Sequence, residues 1–144
     1  MAILRVYDSG PSDALRIDLR HLLDVLAPRS LQASWAISPF SARLKYFEAT
    51  GPGGEKLEAM SEANERVAGR TLTEAAQETR QVIWGEFVGF LPTNSEQAWV
   101  TIRAIDSSFC EIATLDKQVV KRVRSSFKDV RVFDQAWASY NAKP

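Results

Sequence analysis

AWVTIRAIDSSFCEIAT, residues 98–114, is the stretch on which the fold turns. Val100, Ile102 and Ala104 alternate with Trp99, Thr101 and Arg103. That period of two sends successive side chains to opposite faces of a sheet. Asp106, Ser107 and Ser108 then break the run with short polar side chains that bond nearby backbone, and FCEIAT (109–114) returns as a second strand. Upstream, QVIWGEFVGF (81–90) is a third β-like run, set off by the turn-rich LPTNSEQ (91–97). The pattern predicts a three-strand antiparallel meander over residues 82–114.

Working outward, Thr114 or Asp116 can cap a helix through KQVVKRVRSSF (117–127), in which Val119, Val123 and Phe127 recur every fourth residue, with Val120 beside them. DVRVF (129–133) reads as a last strand, and the remaining tail can dock through Trp137 and Tyr140. At the other end, AILRVYD (2–8) reads as an opening strand. Pro11 and Asp13 suit the first turn of a helix carrying Leu15, Leu19, Leu22 and Leu26, which Pro28 ends. LQASWAISPF (31–40) and ARLKYFEATG (42–51) read as extended pieces, with Pro39 at an edge or bend between them. GPGG (51–54) reads as a loop with no phosphate-binding role, because Glu55 and Lys56 follow where a P-loop needs Lys and Ser or Thr. Leu57, Met60, Asn64 and Val67 suggest a helical face closed by Gly69. TLTE (71–74) has the form of a capping box opening a shorter helix from Leu72 to about Arg80. The expected fold is α+β and two-layer, a single domain over residues 1–144. It has an antiparallel sheet of about five or six strands, with about three or four helices mostly on one face.

The composition narrows the chemistry. With 144 residues, 45% of them hydrophobic and 25% charged, the chain is an ordinary one-core globular sequence. Lys plus Arg balance Asp plus Glu at 18 each, against the basic excess of a dedicated nucleic-acid binder. No signal peptide and no apolar run of about 18 residues are visible, so the expectation is a soluble cytoplasmic protein without membrane contact. A single cysteine, Cys110, precludes an internal disulfide, and one Cys with one His cannot build a Cys/His zinc site. Any histidine-activated nucleophile must use His21, which lies beside its leucine stripe without a recognisable partner. Cys110 lies within a strand, away from a helix N-terminus or cation that would activate it. No catalytic residue, metal ligand or cofactor is therefore expected.

Three site readings remain. Trp84, Glu86, Trp99, Arg103 and Asp106 combine aromatic area with charge on the predicted meander, the composition of a protein-binding face, and are the candidate partner-binding residues. Alternatively, Glu86, Asp106 and Glu111 could surround a divalent ion in a small hydrolase or nuclease. Glu111 is followed by Ile112 and Ala113, however, so the Glu-x-Lys nuclease pattern is missing. The third reading takes Lys117, Lys121, Arg122, Arg124, Lys128 and Arg131 as a phosphate-contacting face.

Gln81-Val82-Ile83 leading to Gly85-Glu86-Phe87, then Ile102-Arg103-Ala104-Ile105-Asp106-Ser107-Ser108, then Phe127-Lys128-Asp129-Val130 form a run over Gln81 to Val132. This run resembles small bacterial immunity proteins, which are encoded beside polymorphic or contact-dependent toxins and inhibit them. The resemblance implies a cytoplasmic toxin-neutralising protein that acts by binding, and it carries no functional residue onto this chain.

Overall fold

A computed structural model describes residues 1–9, 17–40 and 47–137. The meander is present: β5 (Gln81–Phe90), β6 (Val100–Ile105) and β7 (Phe109–Thr114) pair consecutively and antiparallel. Between β6 and β7 the Ser108 amide donates to the Ile105 carbonyl at 2.9 Å, and Asp106 and Ser107 both take positive φ, 51° and 58°. Two such residues in succession make the mirror-image turn whose twist matches that of the strands. Val100, Ile102 and Ala104 are buried on one face, while Thr101 and Arg103 lie on the other. Trp99 departs from this alternation. It stands one residue before β6 begins, its amide donates to Gly89, and its ring is buried against Trp35 with centroids 6.3 Å apart. The expectation that Trp99 shares a face with Arg103 is thus corrected: the strand's parity does not reach a residue outside its ladder.

The chain ends complete the sheet. β1 (Ala2–Val6) lies between β7 and β8 (Val130–Phe133). On the other side, β2 (Ser34–Ser38) pairs the second half of β5 and β3 (Glu48–Thr50) the first half, with β4 (Val67–Ala68) beyond β2. The order is β4-β2-β5-β6-β7-β1-β8, all antiparallel, with β3 alongside β5. Glu48 faces Trp84 but Ala49 faces Val82, so Ile83 is an extra residue and β5 bulges there. The bulge resets the alternation: Val82 and Phe87 are both buried among the core residues, and Trp84 and Glu86 turn away from it.

Among the described residues, the helices α1 (Leu19–Val25), α2 (Arg29–Gln32), α3 (Pro52–Ala63), α4 (Gly69–Gln77) and α5 (Lys117–Ser126) supply the second layer. Leu22, Leu57, Leu72, Val119 and Val123 meet Leu4, Trp35, Phe87, Ile102 and Ile112 of the sheet in one continuous core. Among the described residues the sheet has eight strands and the layer five helices, more than expected, because β3, β4 and α2 are three, two and four residues long. Elements that short show no period. Pro11, Asp13, Leu15 and Tyr140 lie outside the described residues.

Several local expectations are overturned for identifiable reasons. GPGG opens α3 rather than forming a free loop: Gly51, at φ 89°, precedes the helix and Pro52 takes its first turn. A Cβ on Gly53 would lie 2.0 Å from the Ala75 carbonyl oxygen, so this glycine allows α3 to press against α4. The helix ends at Ala63, with Asn64 in the left-handed region as its cap, so Asn64 and Val67 do not continue its apolar face. Gly69 begins α4 instead of closing α3. Thr71 therefore lies inside that helix, and Ala68, not Thr71, is at its cap.

His21 has a local role. The Asp18 amide donates to its Nδ1 at 2.8 Å, so the ring reaches back to cover an N-terminal donor of α1. Burial, and then Arg20, hold its pKa below the ordinary value. The unfolded chain binds the proton more readily than the fold, so the contribution is present above about pH 6.5 and is lost as pH falls below it. Chemical denaturation between pH 7.5 and 5 should show wild-type stability falling with a slope that His21→Gln lacks, the glutamine amide serving as a pH-independent acceptor. Equal slopes in the two proteins would remove this role.

Candidate functional site

The helices cover one face of the sheet. On the other face, free of helices among the described residues, strand register aligns a row of charge. Glu86 of β5 is opposite Arg103 of β6, Arg103 is opposite Glu111 of β7, Glu111 is opposite Arg5 of β1, and Arg5 is opposite Arg131 of β8. Arg103 Nε donates to Glu86 Oε2 at 2.8 Å, and its Nη1 lies 3.6 Å from Glu111 Oε1. Arg5 Nε donates to Glu111 Oε2 at 3.0 Å. Glu111 is only 1% exposed, so its charge depends on these partners and not on water.

A row of apolar side chains runs beside the charged one. Trp84 is opposite Ile105, which is opposite Phe109, and Tyr7 packs on Phe109 at 5.0 Å between ring centroids. Phe40, just beyond β2, lies against Trp84 at 5.4 Å. These residues form a second, smaller apolar cluster, separate from the main core. Cations stack on its rings: Arg103 on Phe40 at 5.1 Å, Arg5 on Phe109 at 5.1 Å, and Arg131 on Tyr7 at 4.0 Å. Aromatic faces attract cations, and partial burial strengthens the attraction.

The segment after β8 crosses this surface. Trp137 seats its indole against Phe40 and Trp84, at 5.1 and 6.1 Å. Its amide donates to Glu111 Oε2 at 2.8 Å, and its carbonyl accepts from Arg103 Nη1 at 2.7 Å.

Of the residues proposed from the sequence, Trp84, Glu86 and Arg103 come together here. Asp106 is exposed at the tip of the β6–β7 turn. Trp99 is in the main core, where its Nε1 donates to Asp116 Oδ2 at 3.0 Å. It borders two clefts, one of about 230 Å³ beside Leu91 and Leu115, and one of about 310 Å³ beside Arg29, Gln118 and Arg122. Both arginines there are engaged, Arg29 by Asp116 and Arg122 by the carbonyls of Val25 and Ala27 at the end of α1. Burial pushes the Asp116 carboxyl up, but hydrogen bonds from Trp99, the Gln118 amide and Arg29 outweigh it and leave it below its ordinary value. Burial pushes the Cys110 thiol well up, away from thiolate chemistry.

The metal-dependent alternative needs Glu86, Asp106 and Glu111 around one cation. Arg103 already stands between the two glutamates, and Asp106 is at the turn tip. Among the described residues no three of His, Cys, Asp and Glu converge closely enough to hold a metal ion. On α5, Lys117, Lys121 and Arg124 are exposed, but Arg122 is turned to α1. No described helix is long and apolar enough to cross a membrane.

Sequence reading missed Arg5, Phe40, Tyr7 and Phe109 as members of this surface; it read Trp137 as a docking residue of the tail, which it is, but did not place it here. The alternation Leu4-Arg5-Val6 already puts Arg5 on the face away from the core, which was the available signal. Its register against Glu111 joins strands more than 100 residues apart in sequence, and no local pattern encodes it. No family model, no curated protein and no solved structure matches the chain.

Proposed function

We propose that this protein acts by binding another protein through the helix-free face of its sheet, as an immunity protein that neutralises a toxin by occlusion. The observation that carries the binding face is the half-buried Trp84, Glu86 and Arg103 side by side on that face, held from beneath by the buried Glu111, Phe40 and Phe109. A two-layer domain needs only one face of its sheet to make a core. Aromatic and arginine side chains assembled on the other face are the composition of binding hot spots. Rigid strands hold them in place, so little side-chain freedom is lost on association. The toxin as partner rests on the resemblance of residues 81–132.

The test is survival of cells that produce the toxin encoded beside this chain, with and without it. Wild type is expected to protect. Trp84→Ala and Arg103→Ala should each weaken toxin binding by about 2 kcal/mol, roughly 30-fold in Kd. Glu58→Ala, on the exposed side of α3, should leave it unchanged. Failure of wild type to protect, or full affinity in both face variants, overturns the proposal.

A further inference from the structure

We infer that the slot holding Trp137 is a recognition site for an extended protein segment presenting a tryptophan, and that the chain's own C-terminal segment is its resident, displaceable occupant. This rests on the proposed role of the sheet face and specifies the chemistry of what the face takes.

Three observations carry it. First, Arg103 and Glu111 grip the carbonyl and the amide of the same residue. In an extended chain those two groups point to one side, which is how a neighbouring strand presents itself. A donor and an acceptor placed side by side on β6 and β7 therefore read one residue of an extended main chain, whatever its identity. The indole lies between Phe40 and Trp84 and supplies the side-chain preference, as alternate pockets do in strand-type peptide recognition.

Second, among the described residues beyond β8, the close hold on the segment is at Trp137. Asp134, Gln135 and Ala136 are exposed, and the contact from Arg5 Nη2 to the Gln135 carbonyl is a long 3.4 Å. A segment anchored at one point can be exchanged for a competitor that offers the same residue. Third, Glu111 Oε1 is buried and, with Arg103 Nη1 at 3.6 Å, has an ion-pair neighbour but accepts no hydrogen bond among the described residues. The resident tail leaves part of the carboxylate's capacity unused, and a segment with a further donor would engage it.

A tethered tail acts as a competitor at an effective concentration of about a millimolar. Its presence lowers the apparent affinity for an outside segment by the fraction of molecules with the slot free.

The probe is a fluorescein-labelled peptide with the sequence of residues 133–139, titrated with full-length protein and followed by anisotropy. Full-length Trp137→Ala, shown to be folded by its thermal transition, is expected to bind the peptide saturably, and the wild type about tenfold more weakly or worse. Trp137→Leu, which keeps apolar cover over Phe40, should fall between them and serves if the alanine variant does not fold. A peptide with alanine in place of its tryptophan should not bind, and Arg103→Gln in the Trp137→Ala background should abolish binding. No binding to folded Trp137→Ala at millimolar concentration overturns the inference, as does equal binding to wild type and variant. Concentration-dependent dimers of wild type that Trp137→Ala abolishes would also overturn it, because the occupant would then be a second copy. Peptide binding without protection of cells separates this site from the toxin reading, and protection without peptide binding separates them the other way.

Discussion

Trp99→Ala is expected to lower stability by about 4 kcal/mol, within the range for a large buried aromatic truncated to alanine. Trp99 is 7% exposed, meets Trp35 edge-on, and donates its Nε1–H to Asp116. It also carries Arg29 over its ring at 5.0 Å. Truncation leaves a void next to Trp35 and removes a donor from the residue that caps α5 through the Gln118 amide. For a chain of this size the midpoint of thermal unfolding should fall by about 15 °C. Affinity for a partner on the helix-free face should change little at a temperature where the variant stays folded. A change under 1 kcal/mol, or a loss of affinity without a loss of stability, would return Trp99 to the binding surface and refute its place in the core.

Glu111→Ala is expected to cost about 3 kcal/mol, the low end for removing one member of a buried ion pair. The loss is mainly the desolvation of what remains. Arg5, 12% exposed, loses the acceptor of its Nε, and the Trp137 amide loses its acceptor. Arg103 is 24% exposed and can recover some hydration, which keeps the cost from being larger. Arg5→Met combined with Glu111→Met should be milder than Glu111→Ala alone, because apolar side chains of similar volume leave no stranded charge on that pair. Denaturant titration of the three proteins is the measurement. If Glu111→Ala lies within 1 kcal/mol of wild type, the charged row is a solvent-screened surface feature and not a buried one.

The meander, α5 and the core stripe of α1 were legible because each spans enough residues to display its period. Val100, Ile102 and Ala104 are buried as alternation requires, and Val119 and Val123 as helical spacing requires. Asp116 caps α5 by accepting from the Gln118 amide. What stayed hidden depended on tertiary proximity. Gly53 reads as loop chemistry until the Ala75 carbonyl is seen beside it, and TLTE reads as a cap until α2 is found against Gly69, where a Cβ would lie 2.2 Å from the Ser30 carbonyl oxygen. Trp84, Glu86 and Arg103 were identifiable as one cluster because β5 and β6 are adjacent in sequence. Arg5 and Trp137 were not, because β1 meets β7 and β8, and Trp137 meets Arg103 and Glu111, across long separations in sequence.

The four tryptophans provide the most direct test of the binding face, since two belong to each side of the sheet. Trp84 and Trp137 lie in the aromatic cluster of the helix-free face, and Trp35 and Trp99 in the main core. In a 15N-labelled wild-type chain, each indole N–H gives its own resonance, assignable with Trp→Phe variants. On titration with the toxin partner proposed for this chain, the Trp84 and Trp137 signals should shift or broaden while those of Trp35 and Trp99 stay in place. Shifts confined to Trp99, with Trp84 and Trp137 unmoved, would place the partner over the cleft beside Arg29 and Arg122 and contradict a recognition surface on the helix-free face.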